Sequence, residues 1–180
     1  MQTQSDFFEA YYNLGVIYTK EKRANDAINA WHNVVRIRPA FAQGHESLGY
    51  LLYAQSKYSD AITELRLAVG EEPNRVFALN LTASLLATCP DSSVRNGPEA
   101  LSLAERAEQL TDGKDPGILD TLAAAYAENG SFARAIEVEQ QALELAAKQG
   151  DAGLETRIKV HLSRYASNEP LRVAPSQAAL

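Results

Sequence analysis

Cysteine is nearly absent from this chain, and several other residue types and patterns are scarce alongside it. A single Cys89 among 180 residues rules out an internal disulfide, so no cystine framework holds the fold and the redox compartment stays open. Seven prolines and ten glycines are too few for a loop-dominated protein. Basic residues number 17 against 23 acidic ones, a net charge of -6, and form no dense run, so the chain has no phosphate-tracking surface for nucleic acid. Long apolar runs are missing too. The longest uncharged stretch, 76–90, contains Asn80, Thr82, Ser84 and Thr88 and falls short of the roughly 20 apolar residues of a membrane span. The opening Met-Gln-Thr-Gln-Ser-Asp has neither the basic start nor the apolar centre of a secretory signal. The cytoplasm is the default expectation, and the periplasm if the chain is part of a larger membrane protein.

Groupings that carry chemistry are equally sparse. His32, His45 and His161 are far apart and lack metal-site spacing, so neither a metal site nor a cofactor is expected. Cys89 has no activating base nearby and reads as a structural thiol. Glycines form no phosphate-cradling loop, and the acidic residues read as solvated helix faces without an acid/base role. Catalysis is not expected.

What remains is rich in alanine, leucine and glutamate, with 46% hydrophobic and 22% charged residues, the composition of an all-α protein. Self-alignment shows a repeat: Leu14-Gly15, Ala27 and Pro39 recur as Leu48-Gly49, Ala61 and Pro73, each 34 residues later. A third unit keeps that offset at Thr82-Ala83. A fourth shows Leu122-Ala123, Tyr126 and Ala135, with the 13-residue step from Leu14 to Ala27 preserved. Thr82 to Leu122 is 40 residues, and the surplus lies mainly in an insertion at 87–97, either a recognition loop or a structural elbow. Gly15, Gly49, Ala83 and Ala123 sit where two helices approach closely, faced by Ala27, Ala61, Ala100 and Ala135. Prolines and polar turns, among them Gly130 at positive φ and Ser131 as a helix cap, predict helices over about 5–20, 24–37, 40–54, 58–70, 74–87, 97–110, 116–128 and 132–148. Leu154, Ile158, Leu162 and Tyr165 form one apolar stripe on a capping helix over 151–166, followed by a disordered tail at 167–180.

The units resemble the tetratricopeptide repeat (TPR). Unit one carries its slots as Tyr11, Leu14, Gly15, Tyr18, Ala27, Trp31, Val34 and Pro39, and unit four as Leu119, Leu122, Ala123, Tyr126, Ala135, Glu139 and Ala142. The second half is similar to a bacterial variant through Leu-Ala-Thr-Cys-Pro-Asp at 86–91, Arg-Asn-Gly at 95–97 and the run from Leu119 to Glu128. The resemblance implies a right-handed superhelix of four helix-turn-helix repeats (about 8–41, 42–75, 76–115 and 116–149) plus the capping helix.

The resemblance also implies a protein-binding role, with the first helix of each unit lining a concave groove. The lining is then Glu9, Tyr12, Asn13, Val16 and Thr19; Gln43, Glu46, Ser47, Tyr50 and Tyr53; Phe77, Asn80, Ser84 and Ala87; and Asp120, Thr121, Ala124 and Ala127. Tyr12, Tyr50 and Tyr53 are expected to be exposed and to offer contact area and a hydroxyl, while Asn13 and Asn80 offer amides to a peptide backbone. Family members that clamp acidic chaperone tails use basic groove residues, whereas Tyr12, Val16, Gln43, Phe77 and Leu81 stand in those places. With Glu9, Glu46, Asp120 and Glu128 in the lining, the expected partner is a neutral or basic protein or peptide. Self-association through an uncovered end is a further possibility. A second reading is a C-terminal repeat domain of a larger bacterial protein, such as a membrane glycosyltransferase or kinase, serving assembly or docking.

Overall fold

A computed structural model of the chain describes residues 4–172, and among the described residues all regular structure is helical. Nine helices follow one another: α1 (Gln4–Lys20), α2 (Ala24–Ile37), α3 (Ala42–Ala54), α4 (Tyr58–Glu71), α5 (Val76–Thr88), α6 (Gly97–Leu110), α7 (Pro116–Glu128), α8 (Phe132–Gln149) and α9 (Ala152–Ala166). None of them is long and apolar enough to cross a membrane. Helices α3 and α5 begin two residues later than their expected starts at 40 and 74. After Pro39 and Pro73 the chain first makes a single turn, in which the Phe41 amide donates to the Arg38 carbonyl and the Arg75 amide to the Glu72 carbonyl.

Chain contacts divide the protein into two compact units, one ending at Ala78 and the other beginning at Leu79. In the first, α1 packs on α2, α2 on α3 and α3 on α4. Trp31, only 2% exposed, is the largest buried side chain; its indole nitrogen donates to Thr19 Oγ1 at 3.2 Å. The ring lies so close to α1 that a Cβ on Gly15 would meet it at 2.8 Å. One repeat later, a Cβ on Gly49 would meet Leu65 Cγ at 2.7 Å and the Ala61 carbonyl oxygen at 3.1 Å. Both glycines thus stand at close helix approaches. Leu14, assigned to a packing slot, is instead 37% exposed, whereas Leu48 is fully buried, because α2 covers that face of α3.

The turns inside three of the four helix pairs share one conformation. Lys22, Ser56 and Gly130 have φ of 58°, 60° and 75°, and in each case the next amide donates back into the preceding helix: Arg23 to Tyr18, Lys57 to Leu52 and Ser131 to Tyr126. Only the third turn uses glycine, for which this left-handed geometry is unstrained.

In the second unit α6 packs on α7, α7 on α8, and α8 on α9. Three of its helices begin on side-chain caps: Asn96 accepts from the Glu99 amide, Asp115 from those of Gly117 and Ile118, and Asp151 from that of Leu154. The cap expected from Ser131 is absent; its side chain makes no capping bond. Helix α9 buries Leu154, Ile158, His161 and Tyr165, with Leu162 half-buried. A 3.6-residue period carries the buried face through His161. The segment after α9, expected to lack order from Ser167, is placed as far as Arg172: Leu171 is buried and Arg172 Nη1 donates to Glu128 Oε2 at 2.7 Å. The rest of that tail, 173–180, lies outside the described residues.

Candidate functional site

In the first unit most of the expected lining residues are half-buried, with Glu9, Asn13 and Phe77 exposed, and Tyr12, Tyr50, Tyr53 and Phe77 are the aromatic members. Tyr12 is not the exposed ring expected of it: it lies edge-on to Trp31 and Phe41, with ring centroids 5.6 and 6.0 Å away, and its hydroxyl accepts from Gln43 Nε2 at 3.3 Å. Tyr50 and Tyr53 are likewise half-buried. Tyr50 meets Phe77 edge-on at 5.8 Å, and Phe77 is 51% exposed. Asn13 is exposed and Val16 half-buried one helix away.

Glu46 is not a free acid. Both its oxygens accept from Arg75, at 2.7 and 3.0 Å, a forked pair that holds the chain just before α5 against α3. Nearby, His45 is buried with its two ring nitrogens at 2.7 Å from Glu64 Oε2 and from the Pro39 carbonyl oxygen.

In the second unit Asn80 and Ser84 are half-buried, and Asn80 Oδ1 is buried without a hydrogen-bond partner. The remaining expected lining is not available to a partner: Ala87, Asp120, Thr121, Ala124 and Ala127 are all buried. Helix α9 and the segment after it lie along that face of α7, joining it at Asp120 through Arg157 and His161 and at Glu128 through Arg172. Glu128 is further paired with Arg95 at 3.0 Å. Of the four acids expected to set the charge of the lining, three are therefore matched by cations, and the argument for a basic partner loses its footing.

The segment joining α5 to α6 is tied to itself and to α7. Arg95 donates from Nη1 to the Cys89 and Pro90 carbonyls at 2.7 and 3.2 Å, and the Asn96 amide donates to Leu86 O at 3.0 Å. The Ser93 amide and hydroxyl both donate to Asp91 Oδ1, which holds the Asp91 carboxyl below its usual range. Cys89 is buried and its thiol is pushed up by desolvation, so it stays protonated and unreactive.

The most unusual chemistry is a buried polar cluster that sequence reasoning missed. His161 Nδ1 lies 2.7 Å from Asp120 Oδ1 and 3.4 Å from Glu139 Oε1, and Arg157 donates from Nη2 and Nε to Asp120 Oδ2 at 3.1 and 3.2 Å. Burial pushes Glu139 up to about 8, aided by the Asp120 charge, so its carboxyl holds a proton at neutral pH. Burial pulls His161 down, but the hydrogen bond and charge of Asp120, with Glu139, outweigh it and raise the imidazole to about 9. For Asp120, burial is overcome by His161 and Arg157, and its carboxyl sits below the usual range. Such a cluster can hold protons or a cation. The signal that marked it was Glu139 itself, an acid in the repeat slot that Trp31 and Leu65 occupy earlier in the chain.

Residues 8–41 match the family model of the tetratricopeptide repeat. Comparison with curated proteins found no match. Among solved structures the chain is similar to MamA 41-end from Desulfovibrio magneticus RS-1, at 15% identity over 92% of this chain and 97% of that one, with a TM-score of 0.69. It is also similar to pilF of Pseudomonas aeruginosa, at 16% identity over 91% and 78% of the two chains and a TM-score of 0.61. Yeast Tom70 matches at 17% identity over 91% of this chain and 36% of that one, with a TM-score of 0.67. These likenesses establish an all-α tetratricopeptide-repeat fold.

Proposed function

We propose that this protein binds an extended peptide or a partner helix on the first-helix faces of its repeats, centred on Tyr50, Tyr53 and Phe77 with Asn13 and Val16 beside them. The observation that supports this reading most is the Tyr50–Phe77 pair, an aromatic contact with one ring half exposed. Aromatic side chains supply binding area at little entropic cost. Asn13 would hold the ligand backbone through its amide. Because Glu46 is already matched by Arg75, the ligand is neutral rather than basic. Helix α7 is covered and offers no lining. An affinity near 1 μM corresponds to about 8 kcal/mol.

Selection of peptides from a random display library, followed by titration calorimetry, tests this. Tyr50→Ala/Tyr53→Ala should weaken a selected peptide at least tenfold while helicity is unchanged. Peptides that bind the double variant as well as the wild type would overturn the assignment.

A second reading has an observation of its own. Phe7, Leu14 and Ile17 lie along one side of α1 and are 45%, 37% and 47% exposed, whereas their counterparts one repeat later, Leu48 and Leu51, are buried beneath α2. That face suits a further helix, from a larger protein containing this repeat domain or from a second copy. Concentration-dependent mass in ultracentrifugation, abolished by Ile17→Glu, would identify the second copy; a constant monomer mass would exclude it.

A further inference from the structure

Asp120, Glu139 and His161 come from α7, α8 and α9, and one donor atom of each lies within 4.8 Å of the other two. Glu139 and Tyr165 are both fully buried; the Tyr165 hydroxyl has no hydrogen-bond partner, and the Glu139 carboxyl meets only Asp120 and, at 3.4 Å, His161 Nδ1. Buried carboxyls are rarely left with so few donors, and a sealed Glu139 whose neighbours are an aspartate and an imidazole suits a bound cation. We propose that Asp120, Glu139 and His161 bind one divalent transition-metal ion of the zinc type, which fastens α9 to α7 and α8.

The donor set selects the metal class. One imidazole nitrogen with two carboxylates suits zinc, whereas calcium takes six to eight oxygens and magnesium keeps most of its waters. Spacing agrees: zinc bonds of about 2.0–2.1 Å in a tetrahedron put neighbouring ligand atoms roughly 3.3 Å apart. The Glu139–His161 separation of 3.4 Å meets this as it stands, and the Asp120–His161 contact of 2.7 Å has to open slightly. Arg157 already holds the other Asp120 oxygen, the outer-shell support that orients a metal ligand. Three protein ligands leave a fourth position for water. An entry path exists: Glu139 is sealed, but the Asp120 and His161 side chains are 10% and 11% exposed beneath a 56% exposed Arg157.

The test is equilibrium dialysis of the full, metal-stripped chain against Zn²⁺, with metal quantification and thermal unfolding. One ion per chain and a raised Tm are expected, together with a Co²⁺ form whose visible absorption differs from that of the aqueous ion. Glu139→Gln should remain folded in EDTA yet bind at least tenfold more weakly and lose the Co²⁺ spectrum; His32→Gln, at an exposed histidine, should change neither. Failure of the wild type to retain a stoichiometric ion would overturn the proposal, as would binding unaffected by Glu139→Gln. Should that variant not fold, the wild-type Co²⁺ spectrum decides: an aqueous-type spectrum overturns the site.

Discussion

Replacing Glu139 by glutamine should stabilise this protein, by an amount that grows with pH. In metal-free protein the buried carboxyl keeps its proton up to about pH 8, whereas in the unfolded chain it releases the proton near pH 4.5. The folded-state pKa is raised, so the contribution of this group to stability is whole below about pH 4.5 and is lost as pH rises towards 8. Each pH unit in that window removes about 1.4 kcal/mol, so the wild type forfeits on the order of 3 kcal/mol by pH 7. Glutamine has the same shape, is neutral in both states and escapes this loss. His161, also raised, to about 9, adds a loss of the same sign between its ordinary range and that value, and the variant keeps the part of it that Asp120 causes. Urea unfolding in EDTA, followed by circular dichroism at pH 5, 7 and 8, should show the two proteins close at pH 5. The variant should lead by about 2–3 kcal/mol at pH 7, with a wider gap at pH 8. A variant less stable by the same amount at every pH would refute the protonated-carboxyl account.

Two further substitutions separate packing from helix propensity. Gly49→Ala gains helix propensity of about 1 kcal/mol, but its Cβ meets Leu65 and the Ala61 backbone at 2.7 and 3.1 Å, so thermal unfolding should show net destabilisation. Gly70→Ala, with nothing within 4 Å, should instead stabilise by roughly 0.5–1 kcal/mol. Arg95→Ala removes the donor to Cys89 O and Pro90 O and one of the two cations paired with Glu128. Hydrogen exchange should quicken over 89–96, at a cost of about 1–3 kcal/mol in stability.

The fold class was legible because close packing leaves marks in sequence. Gly15 faces Trp31 and Gly49 faces Leu65, and only small residues fit there. The turn conformation was legible only at Gly130, since neither Lys22 nor Ser56 advertises positive φ. Helix phasing told which face of α7 carries Asp120, Ala124 and Ala127, but it is blind to what lies over that face. The cover comes from Arg157, His161 and Arg172, 37 to 44 residues further along the chain. The same blindness hid the pairing of Glu46 with Arg75, which decided the charge of the candidate surface. His161 read as ordinary because the stripe was drawn through Leu162; the acid in a core slot at 139 was the one visible anomaly.

The central claim is that the Tyr50, Tyr53 and Phe77 surface receives a polypeptide. Backbone amide shifts of labelled protein titrated with a selected peptide test it most directly. The account predicts changes concentrated at Asn13, Val16, Tyr50, Tyr53 and Phe77. Changes confined to α6, α8 or the outer side of α1 would contradict it.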